Sequence, residues 1–370
     1  MDAFGIDGKF ESISQRVAST YRRMLTDFCP VIPETLTPEQ QEAAIASQRD
    51  LHAFFTSLYH VLYTEPALFG LPLTEDTFAI SDHGKEGINK TDVKRILDRP
   101  RKQIDEGLVL LRALAVNGRV KGDVLVVAPE DPALAYLKKK QGRAWVSGMA
   151  AAGVELVDTA GSTILRGENF PHMMPALQSL AQSSMRCKDD NLGRVFFARC
   201  DFQAIKENFK SDPVDLFRML RPEETAWAVE QHAFFTARGY QSQVTLNCLW
   251  QWQVKYQGKR SIKGTPLFEI DFDERLLHQM RAQIKCAAAS RIAPLVEKHS
   301  IALQEDFNRR TFNCLNCHWC DSRPHLGPVE LTSAGETRKV CWYVPGDLNA
   351  FTVETSALVR EYAELHEALG

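Results

Sequence analysis

The sequence predicts a mixed α/β (α+β) protein with a helical amino-terminal domain, a small α/β middle domain and a carboxyl-terminal domain. The carboxyl-terminal domain combines β-hairpins, helix and a cysteine-rich metal site. Three observations predict this class: helix-spaced apolar residues early in the chain, short apolar runs in its middle, and apolar–polar alternation around residue 250. We place the domains at residues 1–118, 119–238 and 239–370.

The first domain is predicted to be helical because its apolar residues recur every three or four positions. Thr37 has the chemistry of an N-cap, Pro38 that of a first helical residue and Gln40 that of a capping-box partner. A long helix should therefore begin at Pro38. A further helix is predicted from about Thr91, with Pro100 either kinking it or opening a second helix.

The middle domain contains three short apolar runs that are typical of buried strands. They occupy residues 123–127, 154–157 and 195–198, and helix-length segments separate them. This order predicts βαβ crossovers and a small parallel sheet. No G-x-G-x-x-G sequence follows any of the runs, so the sequence gives no support for a dinucleotide-binding fold.

The carboxyl-terminal third should begin with a helix from Pro222 to about Arg238 and continue as one long half-buried strand over residues 244–256. The strand prediction depends on apolar side chains that alternate with mostly polar ones. A loop over residues 258–264 would then return the chain into residues 266–270 as a hairpin.

Beyond this hairpin, Asp271 and Glu274 resemble a capping pair that opens a helix. The apolar stripe of that helix would be Leu277, Met280, Ile284 and Ala288. Turn residues predict a second hairpin between residues 329–332 and 338–344, and a last helix is expected over about residues 353–369.

Three acidic residues, Glu269, Asp271 and Asp273, alternate along the chain. On an extended strand their carboxylates would share one face and could hold Mg²⁺ or Mn²⁺. The sequence favours helix capping instead, because acidic groups at a helix start complement the helix dipole.

Composition bears on the partners and location of the protein. Lys and Arg total 44 against 47 Asp and Glu, so the net charge of −3 gives no electrostatic reason to expect nucleic acid or an anionic membrane. The longest apolar stretch, residues 108–116, is interrupted by Arg112 and is shorter than the roughly 20 residues of a membrane span. The first 12 residues do not resemble a secretory signal. We therefore expect a cytoplasmic protein without nucleic-acid or membrane partners.

The most informative motif is a run of three cysteines at i, i+3 and i+6. Cys314, Cys317 and Cys320 form this run, and Cys341 follows after 20 intervening residues. Thiols three residues apart can converge on a backbone knuckle whose N–H groups stabilise thiolate charge. The sequence therefore predicts a metal site ligated by Cys314, Cys317, Cys320 and Cys341.

Two identities for the metal stay open. The C-x₂-C-x₂-C run resembles the ligand run of ferredoxin-type [4Fe–4S] sites, although residues 321–324 (Asp-Ser-Arg-Pro) replace the usual Cys-Pro close. Spacing favours this cluster, which would imply redox or Lewis-acid chemistry on a small molecule. The alternative is Zn²⁺ in a non-enzymatic binding or regulatory protein, with Cys341, His318 or His325 as the fourth ligand.

Four further cysteines, Cys29, Cys200, Cys248 and Cys286, should be ordinary buried thiols, since a reducing compartment disfavours disulfides. Cys248 falls in the apolar phase of the long predicted strand, and Cys286 falls in the helix predicted after Asp271. The catalytic residues, the substrate and even enzymatic activity itself are left open by the sequence.

Overall fold

The structure is a computed structural model in two compact units. It describes residues 10–25, 27–75, 90–159, 161–187, 190–206, 212–217, 220, 222–248, 251–258, 267–273, 279–287, 289–311, 329–333, 336–340, 343–348 and 351–368. The amino-terminal unit holds the described residues from 10 to 206, and the carboxyl-terminal unit those from 212 to 368. The division into three domains at residues 118 and 238 stays a prediction. Within the described ranges, no helix is both long and apolar enough to cross a membrane.

The amino-terminal unit is mainly helical and contains one small sheet. Its helices are α1 Ile13–Met24, α2 Pro38–Thr64, α3 Lys90–Asn117, α4 Pro132–Leu137, α5 Lys140–Ala151, α6 Met173–Met185 and α7 Asp190–Ala198. Its strands are β1 Arg119–Lys121, β2 Val124–Val127, β3 Val154–Thr159 and β4 Ser162–Gly167.

Local capping sets the start of α2 as the sequence predicts. The Gln40 N–H donates to Thr37 Oγ1 at 3.4 Å, and the Thr37 N–H donates to Gln40 Oε1 at 2.9 Å. Pro38 is the first helical residue, which confirms the predicted start. Pro100 lies inside α3, so the segment after residue 90 is one helix and not two.

The core of this unit is aromatic and centres on α2. The rings of Phe55 and Phe197 meet edge to face, with centroids 5.6 Å apart. Tyr59 is fully buried, and its hydroxyl donates to the Ala198 carbonyl. These contacts fasten the end of α7 against α2.

The parallel sheet predicted for the middle of the chain is wrong. The four strands follow the order β1-β2-β4-β3, and every neighbouring pair is antiparallel. The third apolar run, residues 195–198, belongs to α7. A short apolar run fits a buried helix as well as a buried strand, so periodicity does not separate the two.

The carboxyl-terminal unit combines a five-stranded antiparallel sheet, a hairpin and five helices among its described residues. The helices are α8 Pro213–Phe217, α9 Pro222–Ala237, α10 Ala289–Val296, α11 Ile301–Arg310 and α12 Val353–Ala368. The strands are β5 Gln241–Cys248, β6 Gln251–Gln257, β7 Phe268–Asp273, β8 Gln279–Ala287, β9 Val329–Ser333, β10 Glu336–Val340 and β11 Tyr343–Leu348.

Two sequence predictions are wrong in the five-stranded sheet, whose order is β11-β8-β7-β6-β5. The single long strand is two strands, β5 and β6, paired antiparallel through Val244 and Val254. The helix predicted after Asp271 is strand β8 over residues 279–287. Met280, Ala282 and Ile284 are buried at a period of two, because alternate side chains of a strand point to the same face of the sheet. Strands β7 and β11 pair with β8 on its two sides. The predicted pairing of β6 with the strand after the loop is confirmed by β7.

The second predicted hairpin is present as β9 and β10, with Val340 opposite Val329. Its second strand ends earlier than expected. Residues 343–348 form β11, which pairs with β8 in the larger sheet. With α12 starting at Val353, the described residues confirm a mixed α+β fold.

Candidate functional site

The four predicted metal ligands, Cys314, Cys317, Cys320 and Cys341, lie outside the described residues, as do the alternatives His318 and His325. Among the residues that the structure describes, no group of three or more His, Cys, Asp or Glu side chains could hold a metal ion. The metal site therefore stays a prediction, and the structure supplies the elements that precede and follow its ligands.

The β9–β10 hairpin flanks the cysteine-rich stretch of sequence. Val329 is the first described residue after residues 312–328, and it pairs with Val340, the last residue of β10. Residue 341 directly follows Val340, and only residues 341 and 342 separate β10 from β11. Val329 and Val340 therefore lie side by side at one end of the strand pair.

On the other side of the stretch, α11 is fixed to α12. Tyr362 donates its hydroxyl to the buried carboxylate of Asp306 at 3.1 Å. Helix α11 ends where Thr311 donates both its N–H and its hydroxyl to the Phe307 carbonyl, each at 2.9 Å. The chain therefore leaves an anchored helix three residues before Cys314.

The acidic pair Glu269 and Asp271 lies on strand β7 and not at a helix start. Both side chains are buried, at 1% and 6% exposure. Gln253 donates to Glu269 at 2.9 Å, and Arg281 makes a bidentate ion pair with Asp271 at 3.0 and 3.1 Å. Helix capping is therefore the wrong interpretation. These contacts make the pair a cross-strand polar network that pins the register of β6, β7 and β8.

The opposite face of the sheet carries a contact between the half-buried His232 and the buried Tyr256. His232 Nδ1 lies 3.0 Å from the Tyr256 hydroxyl, and His232 Nε2 lies 3.4 Å from Asp212 Oδ1. Burial lowers the pKa of His232, and the nearby Asp212 carboxylate partly offsets this. Burial also raises the pKa of Tyr256, so at neutral pH the contact joins a neutral ring to a protonated phenol.

The remaining cysteines divide by environment. Cys200 is buried as predicted, and burial raises the pKa of its thiol well above the ordinary value, with the Asp201 carboxylate adding to the rise. The prediction that Cys29 is buried is wrong, because it is exposed after the end of α1. Cys248 lies on strand β5 and Cys286 on strand β8, so the predicted helical position of Cys286 is also wrong. The burial predicted for these two thiols stays a prediction, because the structure describes only the backbone of the two residues.

Sequence analysis missed a second candidate site, a cleft in the amino-terminal unit lined by Asp105, Gln141 and Arg194. A signal for Asp105 does exist in the sequence. Arg101 and Asp105 fall on the same helical face as the apolar positions Ile104 and Leu108 of α3, where charge is not expected.

Comparisons of the chain with protein-family models, with curated proteins and with solved structures found no match.

Proposed function

We propose that this protein is a metal–thiolate protein that holds a [4Fe–4S] cluster through Cys314, Cys317, Cys320 and Cys341. The cysteine spacing supports the cluster, because three thiols on one knuckle plus one distant thiol is a cluster ligand pattern. A cluster with four thiolates transfers electrons, and a cluster that lacks its fourth thiolate offers an open iron as a Lewis acid.

The observation that carries the proposal is the register of β9 with β10. Paired residues of an antiparallel ladder have Cα atoms about 4.5–5.5 Å apart. Val329 pairs with Val340, so the described residues that border the cysteine-rich stretch and Cys341 lie side by side. In the sequence Cys320 precedes Val329 by nine positions and Cys341 directly follows Val340, a spacing short enough for the three-cysteine run and Cys341 to meet in one site.

Purification without oxygen tests the proposal directly. The expected result is a brown protein that contains iron and sulfide in cluster proportion and has a broad absorption band at about 400 nm. A colourless protein with one equivalent of zinc would overturn the cluster and favour the zinc-stapled binding or regulatory protein. A preparation with neither metal would overturn the metal–thiolate proposal as a whole.

Ligand assignment is tested by metal content in single variants. Cys317→Ser and Cys341→Ala should each lose metal, whereas His325→Ala should keep it. Cys29→Ala is the matched control, because Cys29 is exposed and lies in the amino-terminal unit. Full metal in Cys341→Ala with loss in His325→Ala would exclude Cys341 and indicate a Cys₃His zinc site.

A further inference from the structure

An open cleft in the amino-terminal unit has the size of a small-molecule site. Its volume is about 820 Å³, and helices α3, α4, α5 and α7 contribute to its lining. Val109, Leu110 and Ala113 of α3 and Ala133 of α4 give it an apolar wall. Pockets of about 300–1,000 Å³ with apolar walls and a few polar groups are typical of organic ligand sites.

Positive charge surrounds this α3–α5 cleft. Lys102, Lys139, Lys140 and Arg194 line it, against the two carboxyl groups of Asp105 and Glu106. The three lysines are exposed. The positive end of the α5 helix dipole adds to the same potential, because Lys140 is the first residue of α5. Cationic groups in these numbers favour an anionic ligand.

Arg194 keeps part of its charge available to the cleft. Its Nη2 atom lies 2.8 Å from Asp190 Oδ2, and Arg112 Nη1 lies 2.8 Å from Asp190 Oδ1. One carboxylate is therefore shared by two guanidinium groups, so this trio has a net positive charge.

Two polar atoms at the cleft are buried without a hydrogen-bond partner among the described residues. They are Asp105 Oδ1 and Gln141 Nε2, and both residues line the cleft. A buried polar atom without a hydrogen-bond partner destabilises the protein, because it has lost its hydrogen bonds to water. A ligand oxygen that accepts a hydrogen bond from Gln141 Nε2 would remove this cost. The unpartnered amide is therefore a second indication, independent of the positive charge, that the ligand carries an oxygen-bearing group.

Asp105 is the titrating group of the cleft. Burial raises its pKa to about 7, with Arg194 opposing the rise and Glu106 adding to it. Among the other groups near it, the pKa of Tyr136 is raised to about 12. The pKa values of the buried Tyr59 and Cys200 are raised well above their ordinary values. Asp105 therefore changes charge between pH 6 and pH 8.

We propose that the α3–α5 cleft binds a small organic anion that combines an apolar ring with an acidic group. The ring packs on Val109, Leu110 and Ala113, and the acidic group accepts a hydrogen bond from Gln141 Nε2. Asp105 in its protonated form donates a second hydrogen bond, and in its ionised form it repels the ligand. The site is independent of the proposed cysteine-ligated metal.

A fluorescent sulfonate, 1-anilinonaphthalene-8-sulfonate, is a suitable probe because its own charge does not change between pH 6 and pH 8. With the pKa of Asp105 at about 7, the protonated fraction falls from about nine-tenths to about one-tenth, and the affinity should fall about tenfold. The Asp105→Asn variant keeps a neutral donor and should bind equally at both pH values. The uncharged analogue N-phenyl-1-naphthylamine should bind more weakly and without this pH dependence.

Two lysine variants place the binding in the cleft. Lys140→Gln removes a cation that lines the cleft and should weaken sulfonate binding severalfold. Lys138→Gln is the matched control, because Lys138 is exposed two residues away and is not part of the lining. Equal effects of the two lysine variants would overturn the proposal. Equal affinity for the uncharged analogue, or an unchanged pH dependence in Asp105→Asn, would overturn it as well.

Discussion

Replacing Asp105 by Asn should make the protein more stable, and the gain should grow with pH. The ordinary pKa of this carboxyl is 3.8, and in the folded protein burial raises it to about 7. Below pH 3.8 both the folded and unfolded chains hold the proton, so the carboxyl has no net effect there. As the pH rises towards 7 the unfolded chain releases its proton first, and the folded state loses relative stability.

The magnitude follows from the size of the shift. From 3.8 to about 7 is roughly 3 pH units, and each unit corresponds to about 1.36 kcal/mol. The wild-type protein should therefore be less stable than Asp105→Asn by about 4 kcal/mol at pH 8. The two proteins should converge as the pH falls below 3.8, where the aspartate is protonated in both the folded and the unfolded state.

Urea denaturation at a series of pH values measures this difference. Circular dichroism follows the helices, and hydrogen exchange in peptides from α3 locates the effect in the amino-terminal unit. Glu106→Gln is the matched control, because Glu106 is the exposed neighbour of Asp105 and glutamine can still accept from the Tyr136 hydroxyl. It should change the pH dependence much less than Asp105→Asn does, because it removes only the smaller Glu106 contribution to the rise in the Asp105 pKa. Stability curves of wild type and Asp105→Asn that run parallel from pH 5 to pH 8 would refute the reasoning.

Three further substitutions test the packing of each unit. Gly107→Ala would place a Cβ 2.2 Å from the buried Trp145 ring. Overpacking should outweigh the gain in helix propensity and destabilise the amino-terminal unit by about 2 kcal/mol, and an unchanged melting temperature would contradict this. Arg281→Met removes the bidentate ion pair of the buried Asp271 and should cost about 2 kcal/mol in urea unfolding, discounted for the partial exposure of the arginine. Ile284→Ala should cost about 3 kcal/mol, because this side chain is 2% exposed in the core of the five-stranded sheet; a loss below 1 kcal/mol would argue against that burial.

Some elements were predictable because their determinants are local. The start of α2 depends on hydrogen bonds between Thr37 and Gln40, three residues apart, and the sequence states both partners. The β9–β10 hairpin likewise follows from turn residues between two short strands. The start of such a helix and the turn of such a hairpin are determined by residues a few positions apart, without contacts from distant parts of the chain.

Other elements depended on partners far along the chain. Met280 and Ile284 are four residues apart, which suits one face of a helix and equally the same side of a strand. Pairing with β7 and β11 makes residues 279–287 a strand. The apolar run at residues 195–198 was similarly ambiguous and is helical, because Phe197 packs edge to face on Phe55 of α2.

The same contrast between local and distant determinants separates the two candidate sites. The sequence by itself determined the three-cysteine run, because the thiol spacing that suits a metal is a property of adjacent residues. Only the tertiary structure brought Asp105, Gln141 and Arg194 to one cleft, since they come from three different helices. Burial then raised the pKa of Asp105 to about 7, and burial arises from the helices that pack around a residue, not from the residue's own neighbours in the chain.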